Sequence, residues 1–494
     1  MTALPPPGPD SPRLAQTVQF LRDPIGFATR CHAAHGDLFR LRLLGLGDWV
    51  FVCSPELTRE LFKSDDTQLA GGAANRHFIG EMMGPNATFS LDGTEHDLRR
   101  RLILPHLSGR RLLEHLPLLL DATDSMIDAW PVHRPFSLLA ATNRLTLEII
   151  VRAVFGGLPE PRHRALFKHA EVYFEQGLRS PFLFFKPLQV DLGRFSPWGR
   201  VLRQRRALFD RVGAEVDAVL AGRGGDGLLA RLAGETKRDG TSLSRDALVD
   251  ECVNLLFGAQ ESTGKILAWT LLSLLHHPRV LTRARAEVMV ITEGHPITAE
   301  HVPRLDYLDA VVKEGMRTPP TSPFAGVRRA LRTTRIGDFE IPAGTTVTHG
   351  FGVMTQARSL FETPDTFDPE RHFHGRRVPP YTFNPFGGGK RMCIGKSFAQ
   401  FEIKTILATI LQRVELEVQN DSLETVRDGF LVTPKDGGQV ILRSRRPRVA
   451  DDGPSTDDLL DGVSGGLAAA AAAAGCPFHA ARGPGDGQID DEAA

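Results

Sequence analysis

One cysteine stands between a glycine-rich turn and a segment with helical periodicity. Residues 386–395 read Phe-Gly-Gly-Gly-Lys-Arg-Met-Cys-Ile-Gly, and from residue 394 to about 411 apolar residues recur at helical spacing. Cys393 is therefore predicted at a helix N-terminus, where unpaired N–H groups and the helix dipole favour an anion. Such surroundings lower the pKa of a thiol, so the pattern predicts a thiolate. The glycines permit close approach of a flat ligand, whereas the alternative is a turn with a buried, inert cysteine.

A second group of polar residues interrupts a long apolar helix. This helix is predicted from an N-cap at Ser244 to His277, one residue before a proline. Residues 258–263 read Gly-Ala-Gln-Glu-Ser-Thr, so a carboxylate and two hydroxyls lie where a buried helix favours aliphatic side chains. Burying polar groups without hydrogen bonds lowers the stability of the fold, so their presence here indicates a functional role. The alternative is a helix bent by a serine back-bond, with Glu261 reaching a surface.

The glycine turn resembles the haem-binding signature of the cytochrome P-450 family of haem-thiolate monooxygenases. The matching residues span the turn and the start of the following helix: Phe386, Gly389, Arg391, Cys393, Gly395, Ala399 and Glu402. In that family the cysteine is the axial iron ligand, and its thiolate pushes electron density towards O–O cleavage. The resemblance implies that Cys393 ligates the iron of haem b (iron protoporphyrin IX) and that Phe386 belongs to the haem-binding loop.

The polar group in the long helix resembles the family's small-small-x-acid-hydroxyl sequence, which crosses the distal face of the haem. The resemblance implies that small residues such as Ala259 leave room for dioxygen and that Glu261 and Ser262 relay protons during O–O cleavage. The family usually has threonine at the alcohol position. Serine keeps the hydroxyl but lacks the methyl group that fixes its rotamer, which predicts leakier coupling of electrons to product.

Four basic residues are candidates for binding the haem propionates. His96 and Arg100 stand four apart on one face of a predicted helix, where they can present two donors to carboxylates. This spacing resembles the family's propionate-binding helix, and the resemblance gives Arg328 and Arg391 the same role. The alternative for His96 and Arg100 is an ordinary solvated basic face.

Glu314 and Arg317 lie three apart on a predicted helix at 306–318. Such pairs are common and usually superficial. Their order along the chain resembles the family's E-x-x-R helix followed by its P-E-R-F segment, and this implies a buried cluster of Glu314, Arg317 and Arg371 satisfied by bidentate hydrogen bonds. His372 follows Arg371 where the family has phenylalanine, a departure expected to leave the chemistry unchanged.

The resemblance also locates a substrate pocket. Residues 67–90 are predicted as a long irregular loop over the haem, and an aromatic, apolar lid is expected within 181–198. Such a lid favours a hydrophobic substrate such as a fatty acid or terpenoid, although core packing explains the same composition. The predicted pocket residues come from four segments: Phe78, Met82, Ala259, Phe324, Ala325 and Leu431.

Composition indicates the cellular compartment and the partners to expect for this chemistry. Five scattered cysteines form no disulfide framework, and no run of about 18 apolar residues is present. We therefore expect a soluble, bacterial-type enzyme in the cytoplasm, a monomer without a membrane span or a nucleic-acid partner. No dinucleotide fingerprint or cysteine cluster is visible, which implies a separate ferredoxin or flavodoxin with its reductase. Residues 450–494 hold nine acidic residues against one arginine, so residues 1–449 carry a net charge of +8, which suits an acidic redox partner.

The elements that position these residues are predicted to be mostly helical. The expected fold is the cytochrome P-450 fold, mainly α with small β-sheets, in which the haem lies between the long central helix and the cysteine-bearing turn. Residues 1–449 are expected to form the catalytic domain, and residues 450–494 an acidic, Ala/Gly-rich disordered tail. The expected activity is insertion of one oxygen atom of O2 into a hydrophobic small molecule. A haem-thiolate peroxygenase or isomerase and a non-catalytic haem sensor remain as alternatives.

Overall fold

The computed structural model describes residues 4–64, 66–177, 189–235, 242–373, 378–419, 423–429 and 431–448. Residues 181–188 of the predicted lid and the whole predicted tail at 450–494 lie outside the described residues. Within them, no helix combines the length and apolarity needed to cross a membrane.

Helices make up most of the described chain. The α-helices are α1 (Arg13–Arg22), α2 (Pro24–His35), α3 (Pro55–Phe62), α4 (Gly71–Met83), α5 (Gly93–Ile103), α6 (Leu116–Ala129), α7 (Leu138–Phe155), α8 (Glu160–Val172), α9 (Pro197–Leu220), α10 (Leu228–Gly234), α11 (Arg245–His276), α12 (Pro278–Thr292), α13 (His301–Arg304), α14 (Asp306–Arg317), α15 (Phe351–Met354) and α16 (Lys396–Arg413).

The strands form small sheets beside this helical body. They are β1 (Leu38–Leu43), β2 (Gly47–Val52), β3 (Leu69–Ala70), β4 (Pro135–Ser137), β5 (Ala325–Ala330), β6 (Thr334–Ile336), β7 (Phe339–Ile341), β8 (Thr346–His349), β9 (Val414–Val418), β10 (Thr425–Asp428), β11 (Leu431–Pro434) and β12 (Gln439–Arg445). The largest sheet has the strand order β1-β2-β8-β5-β3, β4-β12-β9 form a second, and β6-β7 and β10-β11 are two-stranded. The prediction of a mainly α fold with small sheets is confirmed.

The long helix α11 runs through the core, as its sequence predicts. The side chain of Ser244 accepts a hydrogen bond from the N–H of Ala247 and caps the helix, which ends just before Pro278. Close crossing by α7 fixes its middle, because a Cβ atom at Gly264 would lie 2.4 Å from Oδ1 of Asn143. The hydroxyl of Thr142 also donates to the carbonyl of Gly264 at 2.8 Å.

The prediction of an irregular loop at 67–90 is wrong, because most of that segment is helix α4. Its glycines serve close packing rather than irregular backbone. A Cβ atom at Gly71 would lie 2.9 Å from Nε of Arg391, and one at Gly72 would lie 2.2 Å from the carbonyl oxygen of Leu91. The composition that suggested a loop therefore reflects a helix that begins against the cysteine-bearing turn.

Candidate functional site

The cysteine-bearing turn is held by its own backbone and by α3. The N–H of Cys393 donates to the carbonyl of Phe386 at 2.9 Å, which closes the turn, and α16 begins three residues later. A Cβ atom at Gly388 would lie 2.1 Å from Cδ2 of Phe62, and one at Gly389, where φ is +63°, would lie 2.0 Å from the Phe62 carbonyl oxygen. Glycine is therefore required at both positions for the turn to lie against Phe62.

The side chain of Cys393 keeps accessible surface, although protein atoms around it desolvate the sulfur. Burial raises the pKa of its thiol, and this effect outweighs hydrogen bonding from the backbone of Gly395 and the positive charge of Arg100, which lower it. The prediction of a lowered pKa is wrong, because desolvation exceeds the combined effects of the backbone N–H groups and the nearby positive charges. Accessible surface together with desolvation is expected of a sulfur that lines an interior cavity, where a metal cation would stabilise the thiolate.

Arg391 connects the turn to the loop before α5. Its guanidinium donates to the carboxylate of Asp92 and to the carbonyl of Leu91. Burial lowers the pKa of Arg391, against the effects of Asp92 and Asp66. The positive charge of Arg391 is therefore partly balanced by the carboxylates of Asp92 and Asp66.

The other three predicted propionate ligands lie within electrostatic range of Arg391. Burial lowers the pKa of Arg328 to about 10, and the charge of Arg391 acts in the same direction. Burial and then Arg391 lower the pKa of His96, whose Nδ1 lies 3.2 Å from Oδ1 of Asp97. Burial also lowers the pKa of Arg100, which is close enough to Cys393 for its charge to be felt.

This basic cluster fits a dianionic ligand. Arg328 is 4 % exposed and donates to the carbonyls of Val327 at 3.1 Å and Gly388 at 3.5 Å. In the described part of the chain, no ion pair joins Arg328 or Arg100 to a carboxylate. Buried guanidinium groups are costly unless they are paired, so the donor set has unused capacity for two carboxylates such as the propionates of a haem.

One side of α11 is open in the middle of the core. Between Ala247 and Leu274 the positions that are not fully buried are 254, 257–259, 261, 262 and 266, which lie on one side of the helix centred on Gly258. A Cβ atom at Gly258 would meet nothing within 4 Å. The helix therefore borders an open space at the predicted small-small-x-acid-hydroxyl sequence.

Both candidate catalytic residues lie on this open side. The hydroxyl of Ser262 donates to the carbonyl of Gly258 at 3.1 Å, so the serine back-bond weighed as an alternative is present. Oε2 of Glu261 lies 2.6 Å from the ammonium group of Lys265, whose side chain is fully buried. Sequence reasoning missed Lys265, although a lysine inside the apolar run after Gly264 was a visible signal.

The predicted pocket residues differ in their surroundings and in how much surface they expose. Phe78 and Phe324 belong to an aromatic cluster, because the ring of Trp49 lies 5.2 Å from Phe78 and 5.1 Å from Phe324. Met82 is 1 % exposed and lies in the core, because α4 turns it inward. Ala259 on α11, Ala325 on β5 and Leu431 on β11 keep accessible surface. The same is true of Phe78 and Phe324.

The structure brings the three predicted cluster residues together. Arg317 holds Glu314 with two hydrogen bonds of 2.8 Å, and Nε of Arg371 lies 3.5 Å from the same carboxylate. His372 is a fourth member, with Nε2 3.1 Å from Oε2 of Glu314. His372, the departure from the family pattern that was expected to have no effect on the chemistry, therefore contacts the central carboxylate of the cluster. Burial tends to raise the pKa of Glu314, but hydrogen bonds from Arg317 and His372 outweigh burial and lower it.

Comparisons with known proteins identify the family. The model of the family described as Cytochrome P450 matches residues 5–442. The chain belongs to the cytochrome P450 family. It is 29 % identical over 483 residues to the protein assigned as cytochrome P450 135B1 of Mycobacterium tuberculosis, covering 97 % of this chain and 96 % of the relative. It is 30 % identical over 450 residues to the one assigned as cytochrome P450 138 of the same organism, covering 89 % and 96 %.

Solved P450 structures share its fold. Cyanobacterial CYP120A1 bound to retinoic acid has a TM-score of 0.78 at 25 % identity, covering 90 % of this chain and 99 % of that one. The cytochrome P450DA haem domain has a TM-score of 0.79 at 23 % identity with the same coverage. The predicted family and fold are confirmed, and this P450 is therefore a haem-thiolate monooxygenase, an oxidoreductase with cysteine-ligated haem. The family generally uses O2 and redox partner proteins.

Proposed function

We propose that this P450 inserts one oxygen atom of O2 into a hydrophobic small molecule, with electrons from a separate ferredoxin or flavodoxin. The observation that carries the proposal is the open side of α11, where Glu261 and Ser262 have accessible surface in an otherwise buried helix. A polar pair beside an internal space, in a helix that would be more stable with aliphatic side chains there, calls for a chemical use.

Haem b is the cofactor that these residues would hold. Cys393 would ligate the iron, Phe386 would lie beside the ligand, and Arg100, Arg328 and Arg391 would bind the propionates, with His96 as a further donor. When bound, the haem supplies activation of O2 at a thiolate-ligated iron. The two guanidinium groups without carboxylate partners in the described chain support this arrangement.

Glu261 and Ser262 would relay protons to the open side of α11. The Ser262 hydroxyl can both donate and accept, and its back-bond to Gly258 leaves its oxygen with acceptor capacity for a water molecule. Oε1 of Glu261 is buried without a partner among the described residues, so it is available to such a relay.

Several observations support a hydrophobic substrate, of the fatty-acid or terpenoid class. Phe78 and Phe324 pack against Trp49 and keep apolar accessible surface, as do Ala259 and Leu431. CYP120A1, which shares the fold, is described as bound to retinoic acid, an isoprenoid carboxylic acid. The three buried free cysteines Cys31, Cys53 and Cys252 support a reducing compartment, and we propose the cytoplasm.

Cys393→Ser tests the proposal at its chemical centre. The parent protein, reduced under carbon monoxide, is expected to show the red-shifted Soret band of thiolate ligation, and Cys393→Ser to lose it because a serine hydroxyl is not a comparable ligand. Cys252→Ser, which replaces a buried cysteine of α11, is the matched control and should keep the band. An unchanged band in Cys393→Ser would overturn the assignment of the iron ligand.

Substrate class is tested by a ligand screen on the loaded protein. Fatty acids and terpenoids of graded length are expected to displace water from the iron and shift its spin state, and short polar acids are not. Turnover of a hit should require added ferredoxin and reductase. Turnover with NAD(P)H alone would contradict the separate electron donor.

A further inference from the structure

Lys265 is an unusual residue for its position. Its side chain is fully buried, although it belongs to the middle of the central helix α11. Its ammonium lies 2.6 Å from Oε2 of Glu261 and 3.1 Å from the Glu261 carbonyl oxygen. The third contact is to Oδ2 of Asp428, at 3.4 Å, on the hairpin β10-β11. One buried cation is therefore shared by two carboxylates from different elements.

Stability does not explain a lysine at this position. Desolvating an ammonium group is costly, and replacing a buried ion pair by well-packed apolar residues is often neutral or stabilising. A pair at spacing i, i+4 adds little to a helix. Other buried positions of the same helix, such as Leu267 and Trp269, are apolar, and a leucine or methionine at 265 would match them. The charge therefore points to a use.

The geometry of Glu261 shows what that use is. Lys265 binds one carboxylate oxygen, while the other, Oε1, has no partner among the described residues. Glu261 is thus held by one oxygen with the other free to exchange hydrogen bonds. We propose that Lys265 is a positioning residue for proton delivery, which holds the Glu261 carboxylate beside the open side of α11. This inference rests on the proposed role of Glu261.

Asp428 gives the arrangement a second partner. Because Lys265 also contacts Asp428, its ammonium stays paired when Glu261 turns towards the open side of the helix, so that movement does not leave an isolated buried cation. The hairpin is fixed against the same helix, since Nε1 of Trp269 donates to the carbonyl of Val432 at 3.1 Å. Leu431, a proposed pocket residue, lies on that hairpin, so the pair Lys265–Asp428 connects the proton donor to the pocket wall.

The test measures what fraction of the consumed O2 the enzyme releases as hydrogen peroxide rather than as water. With two electrons and two protons O2 leaves as hydrogen peroxide, and with four of each it leaves as two waters, so impaired proton delivery raises the peroxide released per O2 consumed. A surrogate ferredoxin with its reductase and NADPH drives this reaction without a known substrate. Lys265→Met, which keeps the length and removes the charge, is expected to raise the peroxide fraction at least threefold, and Lys265→Arg to restore part of the difference.

A double-mutant cycle separates positioning from general structural damage. If Lys265 acts through Glu261, Lys265→Met should change the peroxide fraction little in a Glu261→Gln background. Lys313→Met, which removes another i, i+4 pair at 2.8 Å with Asp309 on α14, is the matched control and should leave the fraction unchanged. A crystal structure of Lys265→Met should show the Glu261 carboxylate displaced from its position in the parent.

Each outcome decides one question. Equal effects of Lys265→Met in both backgrounds, or an unmoved Glu261, would overturn the role of Lys265 and leave that of Glu261 intact. A Glu261→Gln variant with the parent peroxide fraction would instead overturn the proposed function of Glu261. If Lys265→Met fails to bind haem, Lys265→Gln, which can hydrogen-bond both carboxylates without a charge, takes its place in the same cycle.

Discussion

Ser262 differs from the family's usual threonine by one methyl group, and the structure gives that difference a physical meaning. Its hydroxyl is held by one back-bond to Gly258, on the side of α11 that borders open space. A β-branched side chain has fewer rotamers and keeps its hydroxyl in place, whereas serine rotates more freely. The orientation of this hydroxyl is therefore less fixed than threonine would make it.

Ser262→Thr is expected to improve coupling. Ser262 lies on the open side of the helix, where a Cβ atom added at Gly258 would meet nothing within 4 Å. The additional methyl group is therefore not expected to cause overpacking. We expect the peroxide released per O2 consumed to fall by about twofold and Ser262→Ala to raise it several-fold, since positioned proton transfer contributes about 10²–10⁴-fold to rates. Both are measured by oxygen consumption with peroxide detection.

The same variants address the peroxygenase alternative. A monooxygenase that relays protons through Ser262 should lose NADPH-driven turnover in Ser262→Ala and keep turnover driven by added hydrogen peroxide, because peroxide arrives already protonated. If the protein is a peroxygenase, the parent should show no NADPH-driven turnover. Ser262→Ala should then keep the peroxide-driven rate of the parent. Equal loss of both rates in Ser262→Ala would contradict the relay.

At the scale of elements, α14 is anchored to the segment after it by the buried carboxylate of Glu314. Arg317 holds Glu314 from the same helix, while His372 and the N–H of Asp368 reach it from a distant segment. Arg317 also donates to the carbonyls of Thr355, Pro364 and Thr366. The charges are satisfied on all sides, so removal of one partner leaves the others unpaired.

His372→Phe, which restores the family's usual residue, should lower stability modestly. Loss of one hydrogen bond to a charged group is expected to cost about 1.5–3 kcal/mol, and Glu314→Gln about 3–5 kcal/mol because it leaves Arg317 uncompensated. Urea unfolding followed by tryptophan fluorescence measures both. A destabilisation of His372→Phe as large as that of Glu314→Gln would show that His372 does more than donate one hydrogen bond.

The pH dependence of unfolding follows from the same carboxylate. The pKa of Glu314 is lower in the folded protein than the ordinary value of about 4.3, so below that value the unfolded state binds the proton more readily. Its stabilisation is therefore fully present above about pH 4.3 and is lost as pH falls through the folded pKa. In Glu314→Gln this part of the acid dependence should disappear, and an unchanged acid limb would contradict it.

The sequence predicts some of these elements well and others poorly, for identifiable reasons. The bounds of α11 are predictable because Ser244 and Pro278 are local signals. The prediction at 67–90 fails, because Gly71 at the start of α4 packs against Arg391, which is distant in sequence. The contact of Lys265 with Asp428 is invisible for the same reason, as is the desolvation that raises the pKa of Cys393. Helix ends and chemical motifs can be predicted from neighbouring residues, whereas these contacts join residues that are far apart in the chain.

At the scale of the whole molecule, charge is divided unevenly along the chain. Residues 1–449, which we propose as the catalytic domain, carry a net charge of +8, and the proposed tail at 450–494 balances it to zero. Net charge sets the rate of electrostatically steered association rather than the fold. A ferredoxin is typically acidic, so its encounter with this P450 should depend on whether the tail is present.

Removal of residues 450–494 is therefore expected to leave haem binding unchanged and to strengthen association with an acidic ferredoxin. At low ionic strength the KM for ferredoxin should fall by about threefold to tenfold, because steering increases association rates by about 10-fold or more. The difference should shrink at about 0.5 M salt, where exposed charges are screened within a few ångströms. A full-length variant with the nine tail acids changed to their amides is the matched control, since it removes the charge and keeps the length. If truncation lowers KM and the amide variant does not, the tail acts by its bulk, and the electrostatic explanation is wrong.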